Sequence, residues 1–242
     1  MLSVSLIISK KWIGLPKKHD LCHNIRVNRF TASSVIKLFP NATTRVYKAG
    51  QVVIYHGDKP NHVMFIKSGI IKFYDTDPDG NEKILHIGGE GSLFPLFYSF
   101  EDKESIDAFY ATLTRTEVIM VPLTDFQHQL QTSVDYAYKV LRWYAEEMDH
   151  IVLRLKSMEK SSAKQRIIQA FYYLCVEHSR KTVRSSWSRI NFLLTQQTLA
   201  DMTGLTRETV NITLKDPEIG KVIRTKKQVY EVNEAKIYKL MR

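Results

Sequence analysis

The sequence predicts an α+β chain: an N-terminal antiparallel β-roll, one long helix, and a C-terminal winged helix-turn-helix. Three observations predict it. Glycines at 50, 57, 69, 80 and 91 recur between short apolar runs, which is the rhythm of short strands and turns in a barrel or roll. From Thr124 onward the apolar spacing changes to alternating steps of three and four, the period of a helix face. Between Leu194 and Tyr230, two short helical patterns flank Thr203-Gly204-Leu205 and a basic segment follows. That is the layout of a helix-turn-helix.

Composition sets the outer bounds. The 242 residues are 44% hydrophobic and 25% charged, so the chain has room for one large or two medium cores. The net charge is +10, which points to a polyanionic partner. The excess is uneven: residues 1–30 and the last third are basic, whereas residues 31–156 carry more acids than bases. Cys22 and Cys175 form no CxxC pair, so a disulfide scaffold and a structural zinc site are both unexpected. No metal site is predicted. The apolar run Val4 to Ile8 is too short for a membrane span and lacks a preceding basic stretch, so neither a membrane role nor a signal peptide is expected. A cytoplasmic protein is expected.

Residues 1–30, with Lys10, Lys11, Lys17, Lys18, Arg26 and Arg29, show no sustained period and read as a basic arm. Residues 31–132 read as the roll. Val46 to Gly50 turns into Gln51 to Tyr55, Val63 to Gly69 leads into Ile70 to Tyr74, and Asp77-Pro78-Asp79-Gly80 closes a hairpin onto Lys83 to Ile87. The order Ala49-Gly50, Tyr55-His56-Gly57-Asp58, Phe65-Ile66-Lys67-Ser68-Gly69, Asp77 to Gly80 and Gly91-Ser92-Leu93-Phe94 resembles the cyclic-nucleotide-binding β-roll. More narrowly, it resembles the sensor domain of the cyclic-AMP-receptor/FNR superfamily of transcription regulators.

Thr124 with Gln127 reads as a capping box, and Ser133 as the cap of a second helix. Val134, Ala137, Leu141, Tyr144, Met148, Ile151, Leu155 and Met158 then form an a/d seam over four heptads. A helix from Ser133 to Lys156 would run roughly 36 Å, longer than a small roll can cover. Residues 133–160 are therefore expected to be a dimerisation helix and hinge, with Glu159-Lys160-Ser161-Ser162 as the polar break. The family resemblance implies the same homodimer axis.

Residues 161–242 read as the winged helix-turn-helix domain. Ser162 and Gln165 form a capping box, and Ile167, Ile168, Phe171, Leu174 and Cys175 trace one apolar face. Arg180 to Arg189 reads as a basic loop, with a short strand at Ile190 to Leu194. Thr195 caps the first motif helix, Gly204 supplies the turn, and Thr206 caps the second helix. Val210 and Leu214 face inward, leaving Arg207, Glu208, Thr209, Asn211 and Ile212 outward or partly outward. Arginine bonds bidentately to guanine O6 and N7, and glutamate accepts from cytosine N4. Thr195, Gln196, Thr206 and Thr209 suit phosphate contacts. Gln197 completes the polar face, and Lys215, Lys221, Arg224, Lys226 and Lys227 add charge. Leu194 to Val210 resembles the superfamily's winged helix-turn-helix signature, and the resemblance implies that Arg207 and Glu208 read bases. Ile212 stands where the family often has a second arginine and suits a thymine methyl. Pro217 replaces a usual leucine and should end the recognition helix early.

The family's cyclic-phosphate site has a Gly-Glu segment and an Arg-Ser pair. Here Pro95-Leu96 and Ile106-Asp107 stand in those places, so cyclic AMP is not expected. The four clustered cysteines of an iron–sulfur centre are absent. His56 and His86 read as exposed strand histidines rather than haem ligands. Phe94, Pro95, Leu96, Phe109, Tyr110 and Tyr144 suggest an aromatic-lined effector pocket between roll and long helix. Two readings stay open: an unidentified apolar small-molecule effector, or a roll filled by its own side chains. No cofactor is predicted.

The expected function is a homodimeric, sequence-specific DNA-binding regulator on a near-palindromic site of double-stranded DNA, with RNA polymerase as a further partner. A nonspecific architectural nucleic-acid binder is the alternative. No nucleophile–base pair or phosphate loop supports an enzyme.

Overall fold

The computed structural model describes residues 30–95, 98, 105–181, 186–226 and 229–240. The basic arm before Phe30, Cys22, Leu96 and Lys227 lie outside the described residues.

Eight short strands build the roll. They are β1 (Thr43–Tyr47), β2 (Val52–Ile54), β3 (His62–Ser68), β4 (Ile71–Thr76), β5 (Glu82–Gly88), β6 (Leu93–Phe94), β7 (Phe109–Thr112) and β8 (Thr116–Pro122). They form two four-stranded antiparallel sheets, ordered β1-β8-β3-β6 and β2-β7-β4-β5. The β4–β5 hairpin closes on Asp77 to Gly80, where the Asp77 carboxylate accepts from the Asp79 and Asn81 amides. Gly69 is needed for space as well as conformation: its φ is +98°, and a Cβ there would meet Thr116 Oγ1 and the Arg115 carbonyl.

The strand β3 is buried along most of its length because both faces of its sheet are covered. Met64 and Ile66 point into the roll with Ile71, Phe94, Tyr110 and Val118. Val63 and Phe65 point outward to a helical layer. That layer comprises α1 (Ala32–Leu38), capped by Thr31, α2 (Leu123–Thr132), and the first half of α3 (Val134–Met158). Phe30 packs edge-on against Phe65 at 5.2 Å.

Two local expectations need correction. The Thr124 capping box does not form: α2 starts at Leu123 after Pro122, with no side-chain cap, so Thr124 lies inside the helix. The strand expected at Ile190 to Leu194 lies earlier, as β10 (Trp187–Ile190), paired with β9 (Ser179–Lys181). Ile190, Phe192 and Leu194 are alternately buried, but among the described residues no strand pairs with them past Ile190. Their burial is side-chain anchoring into the helical core.

Ser133 caps α3 by accepting from the Tyr136 amide. The 25-residue helix is about 37 Å long. It ends at Met158, and α4 (Ala163–His178) begins after Ser162, which accepts from the Gln165 amide. The polar break is therefore real. The cores on its two sides are nevertheless continuous. Ile84 and Ile87 of β5, with Ile70 just before β4, share one core with Ile167, Phe171 and Leu174 of α4. Cys175 is buried on the same helix. The rest of the C-terminal unit is α5 (Gln196–Thr203), α6 (Arg207–Leu214), α7 (Pro217–Gly220), β11 (Ile223–Lys226), β12 (Val229–Asn233) and α8 (Glu234–Leu240). The strands β11 and β12 form the wing hairpin, in a sheet ordered β11-β12-β10-β9.

Candidate nucleic-acid interface

Local chemistry builds the two-helix unit. Thr195 Oγ1 accepts from the Thr198 amide at 3.0 Å, and Thr206 Oγ1 accepts from the Thr209 amide at 3.1 Å. Each bond satisfies a backbone donor that the helix start leaves free. Gly204 ends α5 with φ +64°, the left-handed conformation that a glycine adopts without steric cost. Leu199, Ala200 and Val210 are buried between the helices. The helix α6 ends at Leu214. Asp216 then caps α7 with Pro217 at its first turn, so the proline starts a new helix. The Asp216 carboxylate accepts from the Glu218 amide and pairs with Lys164 at 3.1 Å. Those contacts hold it below the usual carboxylate range and tie the end of the unit to α4.

This scaffold leaves one face of α6 free. Arg207, Glu208, Ile212 and Lys215 are exposed, and Thr209 and Asn211 half-buried. Gln196, Thr206, Arg207, Glu208 and Asn211 line one open depression of about 660 Å³. Gln196 Nε2 reaches Asn211 Oδ1 at 3.4 Å across it. Gln197 is turned along its own helix, donating to Asp201 at 2.8 Å. Thr209 shares a 2.9 Å hydroxyl contact with Thr206. Ile212 is 70% exposed, an apolar group held on a polar face. Two of the expected cations are already neutralised: Lys221 pairs with Glu218 at 2.5 Å, and Arg224 with Glu231 at 2.7 Å. Arg224 also stacks on Trp187, a contact the sequence reading missed. It joins β11 to β10 across the intervening β12, in a sheet whose register no local pattern shows.

The a/d seam residues lie along one side of α3. Val134, Leu141, Met148, Leu155 and Met158 are exposed, and Ala137, Tyr144 and Ile151 half-buried. The opposite side, with Tyr136, Val140, Trp143, Glu147, His150 and Arg154, is buried in its own chain. Tyr138 and Val152 widen the exposed stripe. Both stand four residues after an a position, a signal available in the sequence.

The effector-pocket residues separate. Phe94 and Tyr110 stack inside the roll at 5.4 Å, and Phe73 joins them 4.9 Å from Tyr110. Pro95 borders a neighbouring cavity with Tyr110. Phe109 is on the other face of its strand, stacked on Tyr74 at 5.2 Å, because successive strand residues face opposite ways. Tyr144 packs edge-on against Trp143 and lines neither cavity. His86 is not exposed. It is 5% accessible, at the junction of β5, α3 and α4, with Nδ1 3.2 Å from the Tyr173 hydroxyl and Nε2 3.1 Å from Glu147. Among the described residues no group of three or more His, Cys, Asp or Glu could hold a metal ion. Among them also, no helix is long and apolar enough to cross a membrane.

Comparison with known proteins agrees with this geometry. A cyclic nucleotide-binding domain family matches residues 44–133, and a Crp-like helix-turn-helix domain family matches residues 165–237. The HTH-type transcriptional regulator ArcR of Staphylococcus haemolyticus is 25% identical over 178 residues, 73% of this chain and 77% of that protein. A cyclic nucleotide-binding domain containing protein from Listeria monocytogenes has the same fold, with TM-score 0.71 and 16% identity over 84% of this chain and 95% of that one. FixK2 from Bradyrhizobium japonicum is similar, with TM-score 0.67 and 17% identity over 82% and 96%. A roll of the cyclic-nucleotide-binding type, joined by a long helix to a Crp-like helix-turn-helix, makes this chain a member of the cyclic-AMP-receptor/FNR superfamily of DNA-binding transcription regulators.

Proposed function

We propose that the chain acts as a homodimer that reads a near-palindromic operator, with half-sites about one helical turn apart. The observation that carries this reading is the pairing of two free faces. The stripe on α3 is apolar, exposed and turned away from its own chain, so a second copy can cover it. The face of α6 is polar and open, and carries Arg207 and Glu208 in its first turn. Arg207 and Glu208 read a guanine and a cytosine, and Ile212 meets a thymine methyl. Thr195, Gln196, Gln197, Thr206, Thr209, Asn211 and Lys215 hold the duplex through phosphate and edge contacts. The bound dimer acts on transcription through RNA polymerase, in the cytoplasm, and does so without catalysis.

Selection of duplex DNA from a random pool, followed by footprinting of the winners, tests this. Recovery of an inverted repeat supports it. Equal affinity for selected and random DNA overturns it in favour of an architectural binder.

For the site expected beside Phe94 and Tyr110, a specific observation favours the reading without a bound effector. The cavity beside Phe94 and Tyr110 measures about 20 Å³, and its neighbour beside Pro95 and Asp107 about 100 Å³. Small-molecule sites are typically about 300–1,000 Å³. By the family resemblance, Asp107 also stands where a cyclic phosphate would need a cation. Thermal-shift measurements with cyclic AMP and a panel of apolar metabolites separate the readings. Stabilisation by an apolar compound restores the effector, and stabilisation by cyclic AMP overturns both.

A further inference from the structure

A chain of buried ionisable side chains crosses the contact between roll, long helix and C-terminal unit. His86 comes from β5, Glu147 and His150 from α3, and Glu177 from the end of α4. None is more than 5% exposed. His86 Nε2 lies 3.1 Å from Glu147 Oε2, and His150 Nδ1 lies 3.7 Å from the same oxygen. His150 Nε2 lies 2.6 Å from Glu177 Oε1. Both nitrogens of His150 therefore lie within ion-pair distance of carboxylate oxygens, without an aligned hydrogen bond, so the attraction is electrostatic and favours the charged ring. Two further contacts cross between α4 and β5. The Tyr173 hydroxyl accepts from the Ile87 amide at 3.0 Å, and His178 Nε2 lies 3.0 Å from the Ile87 carbonyl. Arg154, one turn after His150, donates to the carbonyls of Ile84 and Met202, so α3 also bridges β5 and α5.

The surrounding contact is apolar. Apolar surfaces attract without fixing register. Buried charges do fix it, because a slip leaves a carboxylate or an imidazolium unpaired away from water. We propose that the chain His86–Glu147–His150–Glu177 is a latch that sets the orientation of the DNA-binding unit against the roll. His150 and Glu177 are its positioning residues. The inference rests on the DNA-binding reading of residues 161–242, but docking is measured without DNA, so the two can fail separately. His86 also lines the small roll cavity with Phe94 and Tyr110, so the roll interior touches the first member of the latch.

The electrostatics give the latch a readable pH limb. Burial pulls the His150 pKa down, but the adjacent Glu147 and Glu177 carboxylates outweigh it and raise the value from 6.5 to about 10. Glu147 is held well below the usual carboxylate range by His150 and His86, against its own burial. Arg154 and Tyr173 are the other ionisable groups at the junction, with His178 beside Glu177. A group whose pKa is raised by docking stabilises the docked state below its free value and loses that contribution as pH rises through the docked one. Docking should therefore hold at neutral pH and fail as pH passes about 10.

The Ile87 amide reports docking directly, because its acceptor belongs to the other unit. Hydrogen exchange should show its protection factor falling at least about tenfold in Glu177→Gln, one pKa unit's worth of coupling. Protection of Phe65 in the roll core should not change. The alkaline midpoint should move from about 10 toward the ordinary histidine range. Affinity for a full palindrome should fall, and affinity for an isolated half-site should not, because only the palindrome depends on the orientation of two units. Unchanged Ile87 protection with an unchanged alkaline midpoint overturns the latch. So does equal loss on palindrome and half-site. Should Glu177→Gln not fold, titration of the unmodified protein decides: Ile87 protection that persists through about pH 10 until global unfolding overturns the proposal.

Discussion

The dimer seam yields a prediction whose size follows from the structure. In Leu141→Glu a carboxylate replaces an apolar side chain at the middle of the exposed stripe. Leu141 is 64% exposed in the single chain. Fully burying a leucine is worth about 1.5–3 kcal/mol, so covering the exposed fraction is worth about 1–2 kcal/mol per copy. A twofold axis doubles the loss to about 2–4 kcal/mol. At about 1.4 kcal/mol per tenfold, the dimer Kd should weaken by about 30- to 700-fold, and desolvation of the new carboxylates adds to that. The same exposure protects the monomer, because surface substitutions rarely cost more than about 0.5 kcal/mol. Sedimentation velocity over a concentration series measures the dimer constant, and far-ultraviolet circular dichroism checks the fold. An unchanged dimer constant with an unchanged spectrum would refute the seam.

Three further outcomes are expected. Arg207→Ala should cost about 1–3 kcal/mol on the selected operator and relax one base position; competition binding that shows uniform weakening on all sequences would mark Arg207 as a phosphate contact instead. Replacing thymine by uracil at the base facing Ile212 removes one methyl and should weaken binding about fourfold. Ile212→Ala should be indifferent to that replacement, and equal sensitivity in both proteins would remove Ile212 from the readout. Gly69→Ala should lower stability by about 2–5 kcal/mol, combining positive φ with a Cβ pressed on the Arg115 carbonyl; an unchanged denaturant midpoint would contradict the packing described for that turn.

What was legible in the sequence was what short-range physics decides. Ser133, Ser162, Thr195 and Thr206 cap helices through bonds to amides three residues on, and such bonds need only the local chain. Thr124 failed for an equally local reason: Pro122, at the N-cap position, started the helix ahead of it. Within the candidate site, the open face of α6 followed from helix periodicity. The pairing of Lys221 and Arg224 with their own carboxylates did not.

His86 marks the limit more sharply. The pairing of β4 with β5 shifts register between Phe73 and Tyr74, leaving Leu85 as the extra residue. Such a bulge breaks the alternation from which exposure is inferred. Ile84, His86 and Ile87 are all buried as a result, while Leu85 is exposed. Phe109 and Tyr110 show the reverse case. They are neighbours in sequence and aromatic alike, yet the strand period sends one to Tyr74 and the other to Phe94.

By itself, the sequence determined the order of the modules, the two capped helices of the DNA-reading unit, and the outward face of the long helix. Each depends on periodicity or on contacts within one turn. Only the tertiary structure decided that the polar break at Glu159 to Ser162 does not divide the core. It also decided that Phe94, Tyr110 and Phe73 pack together inside the roll, and that His86, Glu147, His150 and Glu177 meet. Those four residues are separated by up to 91 positions, as His178 is from Ile87 beside them. Long-range burial, and the demand that buried charges find partners, brought them together.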